Sequence, residues 1–229
     1  REEPRVSELQ LDMATRVPMA NVPIDRPVNG QHPYASWIVQ LPVRDATGRL
    51  GFSPALLQRN ADSAPDYLPL TRANILRQAF KFLGERYGWG HSYNARDCSG
   101  FVSEVYRSMG VQLPRNTSAQ AVSPVFPRTT FQAGDSREKR LDAIRALDVG
   151  DLIFIPGHVM MFAGWLDGSP YVIHDTNGGS YLGADGTLHA MRLNGVSLTP
   201  LLPLRFGKDH DYVDRMTAIA RITSPISGR

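Results

Sequence analysis

Cys98 is the only cysteine among the 229 residues, and it lies in the stretch Asp97-Cys98-Ser99-Gly100, where a helix is predicted to begin. Apolar residues at helical spacing follow it, and the pattern stops at Gly110, a suitable C-terminal cap. A lone thiol cannot form an intramolecular disulfide. At a helix N-terminus, the unsatisfied backbone N–H groups favour the thiolate, which is the nucleophilic form of cysteine. The alternative is that Cys98 is a small buried hydrophobe, the commoner role of a single cysteine.

A thiol nucleophile needs a base, and two of the six histidines lie in apolar runs that are typical of strands. His158 precedes one run and His174 follows the next, with a turn signal at 166–170 between them. A hairpin centred near Leu166 would place both histidines roughly opposite each other on one face, where one ring can orient the other. Strand histidines are more often structural, so this pairing alone leaves both interpretations open.

Composition excludes several other classes of function. One cysteine, without His-Glu-x-x-His or Cys-x-x-Cys motifs, argues against a structural zinc site, and we predict no metal ligands. The net charge of +3 is spread along the chain, which suits an anionic surface such as a bacterial wall better than nucleic acid. The sequence contains no run of about 18 apolar residues, so we predict no transmembrane segment. Because the chain begins with Arg1 and not methionine, we expect a processed or excised piece whose export signal has been removed.

The N-terminal region, residues 1–66, has little helical periodicity and predicts a small β-barrel-like module. Its predicted elements are strands Ser36–Val43 and Arg49–Phe52 around a hairpin turn at Asp45–Gly48, a short turn at Pro54–Leu57 and a linker at Asn60–Pro69. From Thr71 onwards, helical patterns come first and strand patterns follow, which indicates an α+β domain with an antiparallel sheet. The predicted helices begin at Thr71, Cys98 and Ser136, and the predicted strands are Leu152–Ile155, His158–Trp165, Tyr171–Asp175, Leu188–Leu193 and Met216–Ile222.

Residues 71 to about 222 resemble the NlpC/P60 family of papain-like cysteine peptidases, which cut peptidoglycan stem peptides. The motifs that carry the resemblance are, in chain order, Tyr87, Trp89, Asp97-Cys98-Ser99-Gly100-Phe101, Gly150-Asp151-Leu152-Ile153-Phe154, His158-Val159 and His174. The resemblance implies a papain-like domain over residues 67–229, with helices packed on an antiparallel sheet. Residues 1–66 resemble a bacterial SH3-like domain, mainly around Trp37–Leu57, and further such modules are compatible with the resemblance upstream of Arg1.

The family resemblance also implies roles for the site residues. Cys98 would be the nucleophile, His158 the general base and His174 the residue that orients it. Tyr87 resembles a family tyrosine that lines the site and helps to stabilise the oxyanion, together with the Cys98 backbone N–H. The alternative for Tyr87 is a buried tyrosine that packs beneath the Cys98 helix.

The residues beside the nucleophile are expected to bind substrate. In relatives that act on free muropeptides, the positions of Asp97 and Ser99 hold the N-terminal amine, and we expect Trp89 to contact the substrate as well. Asp97 could instead cap the helix and Ser99 could be a first-turn residue, or both roles could coexist. Arg115 could meet an acidic substrate group or lie in a solvated loop.

The resemblance predicts a cell-wall thiol protease that hydrolyses the γ-D-glutamyl–diamino acid (meso-diaminopimelate) bond of peptidoglycan through a Cys98 acyl-enzyme, without a cofactor. Its substrates would be stem peptides or muropeptides, and its location would be exported, periplasmic or associated with the cell envelope. The alternatives are an N-acetylmuramoyl-L-alanine amidase or acyltransferase on the same fold, and a non-catalytic wall-binding module. Residues 121–147 exceed the compact family pattern, and we expect this insertion to wall the cleft or to bind a neighbouring domain.

Overall fold

The computed structural model describes residues 4–7, 9–60 and 62–222, and the chain divides between residues 68 and 69 into two units. The N-terminal unit contains a short helix, α1 (Pro4–Ser7), and the antiparallel strands β1 (Ser36–Arg44) and β2 (Leu50–Gln58). The Asp45 carboxylate closes the hairpin turn because it accepts hydrogen bonds from the backbone N–H groups of Thr47 and Arg49 at 2.8 and 2.9 Å.

The predicted turn at Pro54–Leu57 is wrong, since β2 runs through it and Pro54 lies opposite Gln40. The N–H of Gln40 points away from β2 to the Pro18 carbonyl, so the pair with Pro54 is not hydrogen-bonded and the missing N–H of proline breaks no ladder bond. Among the described residues, this unit has one two-stranded sheet and forms no closed barrel. The α+β class with antiparallel sheets is present, whereas the SH3-like module stays a prediction.

The C-terminal unit is organised around a six-stranded antiparallel sheet in the order β3-β11-β4-β5-β6-β9, and a three-stranded sheet in the order β10-β7-β8 lies beside it. The strands are β3 (Arg128–Thr130), β4 (Leu152–Ile155), β5 (His158–Leu166), β6 (Ser169–Thr176), β7 (Gly179–Leu182), β8 (Leu188–Met191), β9 (Gly195–Pro200), β10 (Leu204–Arg205) and β11 (Ala218–Ala220). The helices are α2 (Arg72–Phe80), α3 (Cys98–Arg107), α4 (Thr117–Ala121) and α5 (Arg137–Arg145). Each helix in the described residues is too short or too polar to cross a membrane.

Two cores lie on the two faces of this sheet. Ile153 and Phe162 share a buried cluster with Ile144 of α5. Strand alternation turns the buried residues Leu152 and Phe154 to the other face of the sheet, and α3 packs against β5 and β6. The predicted strand pattern from Leu152 to Ile155 is therefore a central strand that is buried on both sides.

The hairpin that carries the two histidines differs from its prediction by two positions. The turn is Asp167-Gly168, with φ of 50° and 75°, and not Leu166, which ends β5. Met161 pairs with Ile173, so the continued register places Met160 opposite His174. His158 therefore lies diagonally from His174 on the same face, within reach for ring contacts.

Residues 121–147 are part of the domain's framework. β3 adds an edge strand that pairs with β11, and Ile144 of α5 joins the core. Arg140 of α5 is buried and donates hydrogen bonds to the carbonyl groups of Gln132 and Asp135. These carbonyl acceptors and the Phe131 ring, whose centroid lies 5.5 Å from Arg140 Cζ, accommodate the charge, while Arg140 Nε has no hydrogen-bond partner among the described residues.

The Gly150-Asp151 motif joins the two layers at the start of β4. Gly150 has φ of 97°, and its carbonyl accepts a hydrogen bond from the buried Tyr106 hydroxyl. A Cβ at this position would lie 2.7 Å from Ile75 Cδ1 and 2.9 Å from Tyr106 Oη. Asp151 accepts hydrogen bonds from Arg221 Nη1 and the Ile222 backbone N–H at 2.8 and 3.1 Å, which ties the end of the described chain to the sheet.

We predict that Gly150→Ala lowers the free energy of unfolding by about 3 kcal/mol, because it combines left-handed backbone strain with a steric clash. Gly168→Ala is the matched control, since its φ is 75° but a Cβ there meets nothing within 4 Å. The control should lose only about 1 kcal/mol. Urea denaturation of the purified variants measures both losses, and equal losses would contradict the packing argument.

Candidate active site

Helix α3 begins at Cys98 because Asp97 caps it. The extended backbone of Asp97 lets its Oδ1 accept a hydrogen bond from the Gly100 N–H at 2.8 Å. Its Oδ2 accepts another from the Gly90 N–H at 3.2 Å, which fastens the preceding loop to the same carboxylate. The cap and the buried apolar stripe of α3 fix the position of Cys98, which is 7% exposed.

Arg96 anchors the chain that leads into α3. Its guanidinium donates hydrogen bonds to Glu104 within the helix, at 2.7 Å, and to Glu85 in the segment before the loop. Arg96 and Glu104 are both buried, so each charge depends on the other for solvation. This ion-pair network holds both ends of the 88–96 loop against the helix that carries Cys98.

Burial favours the protonated form of the Cys98 thiol. Burial raises the pKa of the thiol, although the Thr117 hydroxyl and the backbone N–H groups of Val159 and Ser99 act in the opposite direction. The sulfur lies 3.6 Å from Thr117 Oγ1. Among the described residues no hydrogen bond joins the thiol to His158, whose neighbour Val159 presents its N–H to the sulfur. The expected thiolate is therefore not favoured here, because desolvation outweighs the helix N-terminus.

His158 and His174 contact each other as expected. His158 Nε2 lies 2.8 Å from His174 Nδ1, and His174 Nε2 lies 3.0 Å from Thr199 Oγ1 of β9. Burial lowers the pKa of His158 to about 4 and that of His174 well below its usual range. Both rings are neutral at neutral pH, and Nδ1 of His158 is the one ring nitrogen of the pair outside these hydrogen bonds.

Tyr87 is held beside the thiol by backbone pairing. The segment from Gly84 to Tyr87 runs along β9, where the Tyr87 N–H donates to the Asn194 carbonyl at 3.0 Å. Burial, followed by the nearby negative groups Cys98, Asp97 and Asp175, raises the pKa of Tyr87 to about 12. Its half-buried hydroxyl thus remains a hydrogen-bond donor throughout the physiological range.

Asp97, Ser99 and Arg115 form a closed polar cluster. Arg115 donates to both carboxylate oxygens of Asp97, at 2.9 and 2.7 Å, and to Ser99 Oγ at 3.0 Å. Burial opposes ionisation of Asp97, but this ion pair and the two capping N–H groups lower the pKa of the carboxyl overall. Arg115 is therefore not part of a merely solvated loop, and the two predicted amine ligands are already occupied.

A family model of the NlpC/P60 family matches residues 84–202, which is more than half of the chain. The chain belongs to the NlpC/P60 family. A solved NlpC/P60 endopeptidase from Photobacterium damselae subsp. piscicida has the same fold, with a TM-score of 0.64 at 15% identity over 82% of this chain and 46% of that one. An NlpC/P60 family protein from Bacillus cereus gives a TM-score of 0.53 at 22% identity, over 92% of this chain and 54% of that one.

A probable endopeptidase p60 from Listeria seeligeri is 44% identical over 63 residues. That match covers 27% of this chain and 12% of the relative, so this chain spans only a small part of the Listeria protein. The matching region of the NlpC/P60 family model, residues 84–202, includes Tyr87, Cys98, His158 and His174.

Trp89, which we expect to contact substrate, lies in the loop before α3. It is 77% exposed on an irregular 3-10 segment, Trp89–Asn94, in which His91 and Tyr93 have positive φ. Tyr93 is equally exposed and stacks beneath the guanidinium of Arg86, 4.3 Å from Arg86 Cζ to the ring centroid. Left-handed backbone is uncommon at residues as bulky as His91 and Tyr93. In this segment the aromatic side chains of Trp89 and Tyr93 both face solvent.

Three residues of this NlpC/P60 site were missed by sequence reasoning: Thr117, Thr199 and Asp175. Asp175 is 1% exposed, and neither carboxylate oxygen has a hydrogen-bond partner among the described residues. Burial, with the charges of Glu85 and Asp97, raises the pKa of Asp175 to about 7, and Arg96 opposes this shift. Its position after His174 was the only available signal. Thr117 lies two residues after Arg115, which the sequence analysis had singled out, whereas Thr199 gave no signal because it approaches from an element distant in sequence.

A cavity of about 510 Å³ lies at the stem of the β7–β8 hairpin, just beyond the end of β6. It is lined by Asn177, Gly178, Gly179, Met191, Arg192 and Asn194. Cys98 is not among the lining residues. The cavity therefore lies next to the end of β6, the strand that carries His174, and does not contain the thiol. Within the described ranges no three His, Cys, Asp or Glu side chains are grouped to hold a metal ion.

We predict that alkylation of Cys98 by iodoacetamide accelerates with pH up to and beyond about pH 8.5, the ordinary thiol pKa. The reason is that burial raises the pKa of the thiol, so the reactive thiolate accumulates only in alkaline solution. Mass spectrometry of the labelled protein gives the rate at each pH. A plateau of fast labelling between about pH 5 and 8 would instead indicate a thiolate–imidazolium pair and contradict the prediction.

Proposed function

We propose that this chain is a cell-wall cysteine endopeptidase that hydrolyses the γ-D-glutamyl–diamino acid bond of peptidoglycan stem peptides. The observation that carries the proposal is a single buried thiol at a capped helix N-terminus, beside a strand that begins with a hydrogen-bonded histidine. Family membership supports a peptidase, and the probable endopeptidase p60 of Listeria seeligeri supports the same class. The identity of the bond that is cut and the role of the thiol go beyond this class and are our proposal.

In the proposed reaction, His158 Nδ1 accepts the Cys98 proton while the sulfur attacks the γ-glutamyl carbonyl carbon. Since both groups are neutral at rest, proton transfer accompanies the attack. The imidazolium of His158 then protonates the departing amine of the diamino acid. Water, deprotonated by the same imidazole, hydrolyses the thioester and restores the thiol.

Two donors are suited to the oxyanion of the tetrahedral intermediate. The first is the Tyr87 hydroxyl, whose pKa of about 12 keeps its proton in place. The second is the Cys98 backbone N–H, which belongs to the first turn of α3 and has no partner within the helix. Both are presented by elements that are fixed by backbone hydrogen bonds, so little reorganisation is needed during the reaction.

We propose that Asp97 and Ser99 do not hold the N-terminal amine of the substrate directly, as the sequence analysis expected. An ammonium could reach Asp97 only by displacing the Arg115 guanidinium, because every acceptor direction near it is in use. We therefore propose that Asp97 and Ser99 orient Arg115 towards an acidic group of the stem peptide. The exposed Trp89 would contact the apolar face of the same substrate.

The proposed substrate also sets the location. Peptidoglycan lies outside the cytoplasmic membrane, so we propose that the chain acts after export, in the periplasm or the cell envelope. Its mildly basic surface, with a net charge of +3, suits contact with an anionic wall.

We predict that Cys98→Ala abolishes release of diaminopimelate-containing fragments from purified muropeptides while the protein remains folded. Cys98 Sγ is the atom that forms the acyl intermediate in the proposed reaction, and alanine has no atom that can replace it. Ser108→Ala, at the other end of α3, is the matched control and should retain activity. Mass spectrometry separates the alternatives, since new N-termini on L-alanine would indicate an amidase, and unchanged turnover by Cys98→Ala would exclude the mechanism.

We predict that Tyr87→Phe lowers kcat by about 100-fold with a smaller change in KM, because an oxyanion donor acts mainly in the transition state. The phenyl ring preserves packing beside α3. A steady-state assay on the same muropeptide gives both constants. A normal kcat in Tyr87→Phe would assign the residue to packing alone.

A further inference from the structure

The hydrogen bonds of the histidine pair continue to a third side chain. His174 uses Nδ1 towards His158 and Nε2 towards the Thr199 hydroxyl, at 2.8 and 3.0 Å. His174 is 1% exposed and Thr199 is 6% exposed, so water does not compete for these contacts. Every ring nitrogen of His174 is therefore committed, and the only ring nitrogen left to face a substrate or a thiol is His158 Nδ1.

A neutral imidazole carries one N–H, and its partners decide which nitrogen holds it. For His158 Nδ1 to act as a base, the ring hydrogen must lie on Nε2 and be donated to His174 Nδ1. His174 must then carry its own hydrogen on Nε2 and needs an acceptor there. The Thr199 oxygen, which has two lone pairs, is that acceptor.

We propose that Thr199 is a positioning residue that fixes the tautomers of both histidines, so that His158 Nδ1 is free to take the Cys98 proton. This inference rests on the proposed roles of Cys98 and His158. The order of donors is preserved after the transfer, because an imidazolium at His158 still donates from Nε2 to His174. The reverse order, with Thr199 donating, would place a hydrogen on His158 Nδ1 and block the base.

The strand register gives a close internal comparison. Ser197, and not Thr199, lies directly opposite His174 in the ladder between β6 and β9. The Ser197 hydroxyl nevertheless donates to the Gly195 carbonyl at 3.2 Å, two residues away on its own strand. The His174 imidazole is thus bonded to the hydroxyl of its diagonal neighbour in the ladder and not to that of its direct partner. Variants at the two positions therefore distinguish the hydrogen bond from position in the ladder.

The test compares Thr199→Val, Thr199→Ser and Ser197→Ala in the muropeptide assay. Valine keeps the shape of threonine but has no acceptor, so we expect kcat to fall by about 10- to 100-fold with KM changed less than about two-fold. Serine restores the acceptor and should recover most of the loss, and Ser197→Ala should behave as the unchanged protein. Thermal unfolding of each variant shows that the fold is retained.

A second measurement does not depend on the substrate. In a Cys98→Ala background, ¹⁵N NMR of the imidazoles should show His174 protonated at Nε2 and His158 at Nε2, and Thr199→Val should populate the other tautomers. Unchanged tautomers in Thr199→Val would overturn the inference, as would failure of serine to restore kcat. If Cys98→Ala remained active, the proposed function would fail separately, while the NMR result would still decide the role of Thr199.

Discussion

The Asp97 carboxylate accepts hydrogen bonds from the backbone of Gly90 and Gly100, from the Ser99 hydroxyl and from the Arg115 guanidinium. One side chain thus caps α3, closes the loop before it and fixes the segment after it. The N-terminus of a buried helix has donors that must be satisfied, and an anionic acceptor also suits its positive end. The location of the only thiol in the chain follows from this arrangement, because Cys98 is the first residue beyond the cap.

The same burial that fixes the thiol sets its chemistry. A cysteine at a helix N-terminus in water would favour the thiolate, but here desolvation raises the pKa of Cys98 and lowers that of His158 to about 4. The resting site is consequently an uncharged thiol beside an uncharged pair of imidazoles. In the proposed reaction, charge develops only when a proton moves, and the Tyr87 hydroxyl is the donor that we propose for that charge.

Local signals in the sequence were sufficient for much of the domain. The helix start at Cys98, the strand Leu152–Ile155 and the contact between His158 and His174 follow from capping chemistry and periodicity. The edge strand β3 and the strands β7 and β9 were not predicted, because they are short or half exposed and depend on partners far along the chain. Thr199 lies in one of these strands, so its contact with His174 could not be anticipated. The hairpin turn at Asp167-Gly168 lies within the predicted turn signal, whereas the one-residue bulge between Phe162 and Gly164 had no sequence signal.

Strand β9 pairs on one side with β6, where it presents Thr199 to His174, and on the other side with the segment that ends at Tyr87. A slip of β9 by one residue would turn Thr199 to the opposite face of the sheet and remove the Asn194 carbonyl that holds Tyr87. Both supports of the site would be lost in one event. Given the proposed roles of Thr199 and Tyr87, misregistered molecules would be inactive, and errors in folding would not generate an enzyme of altered selectivity.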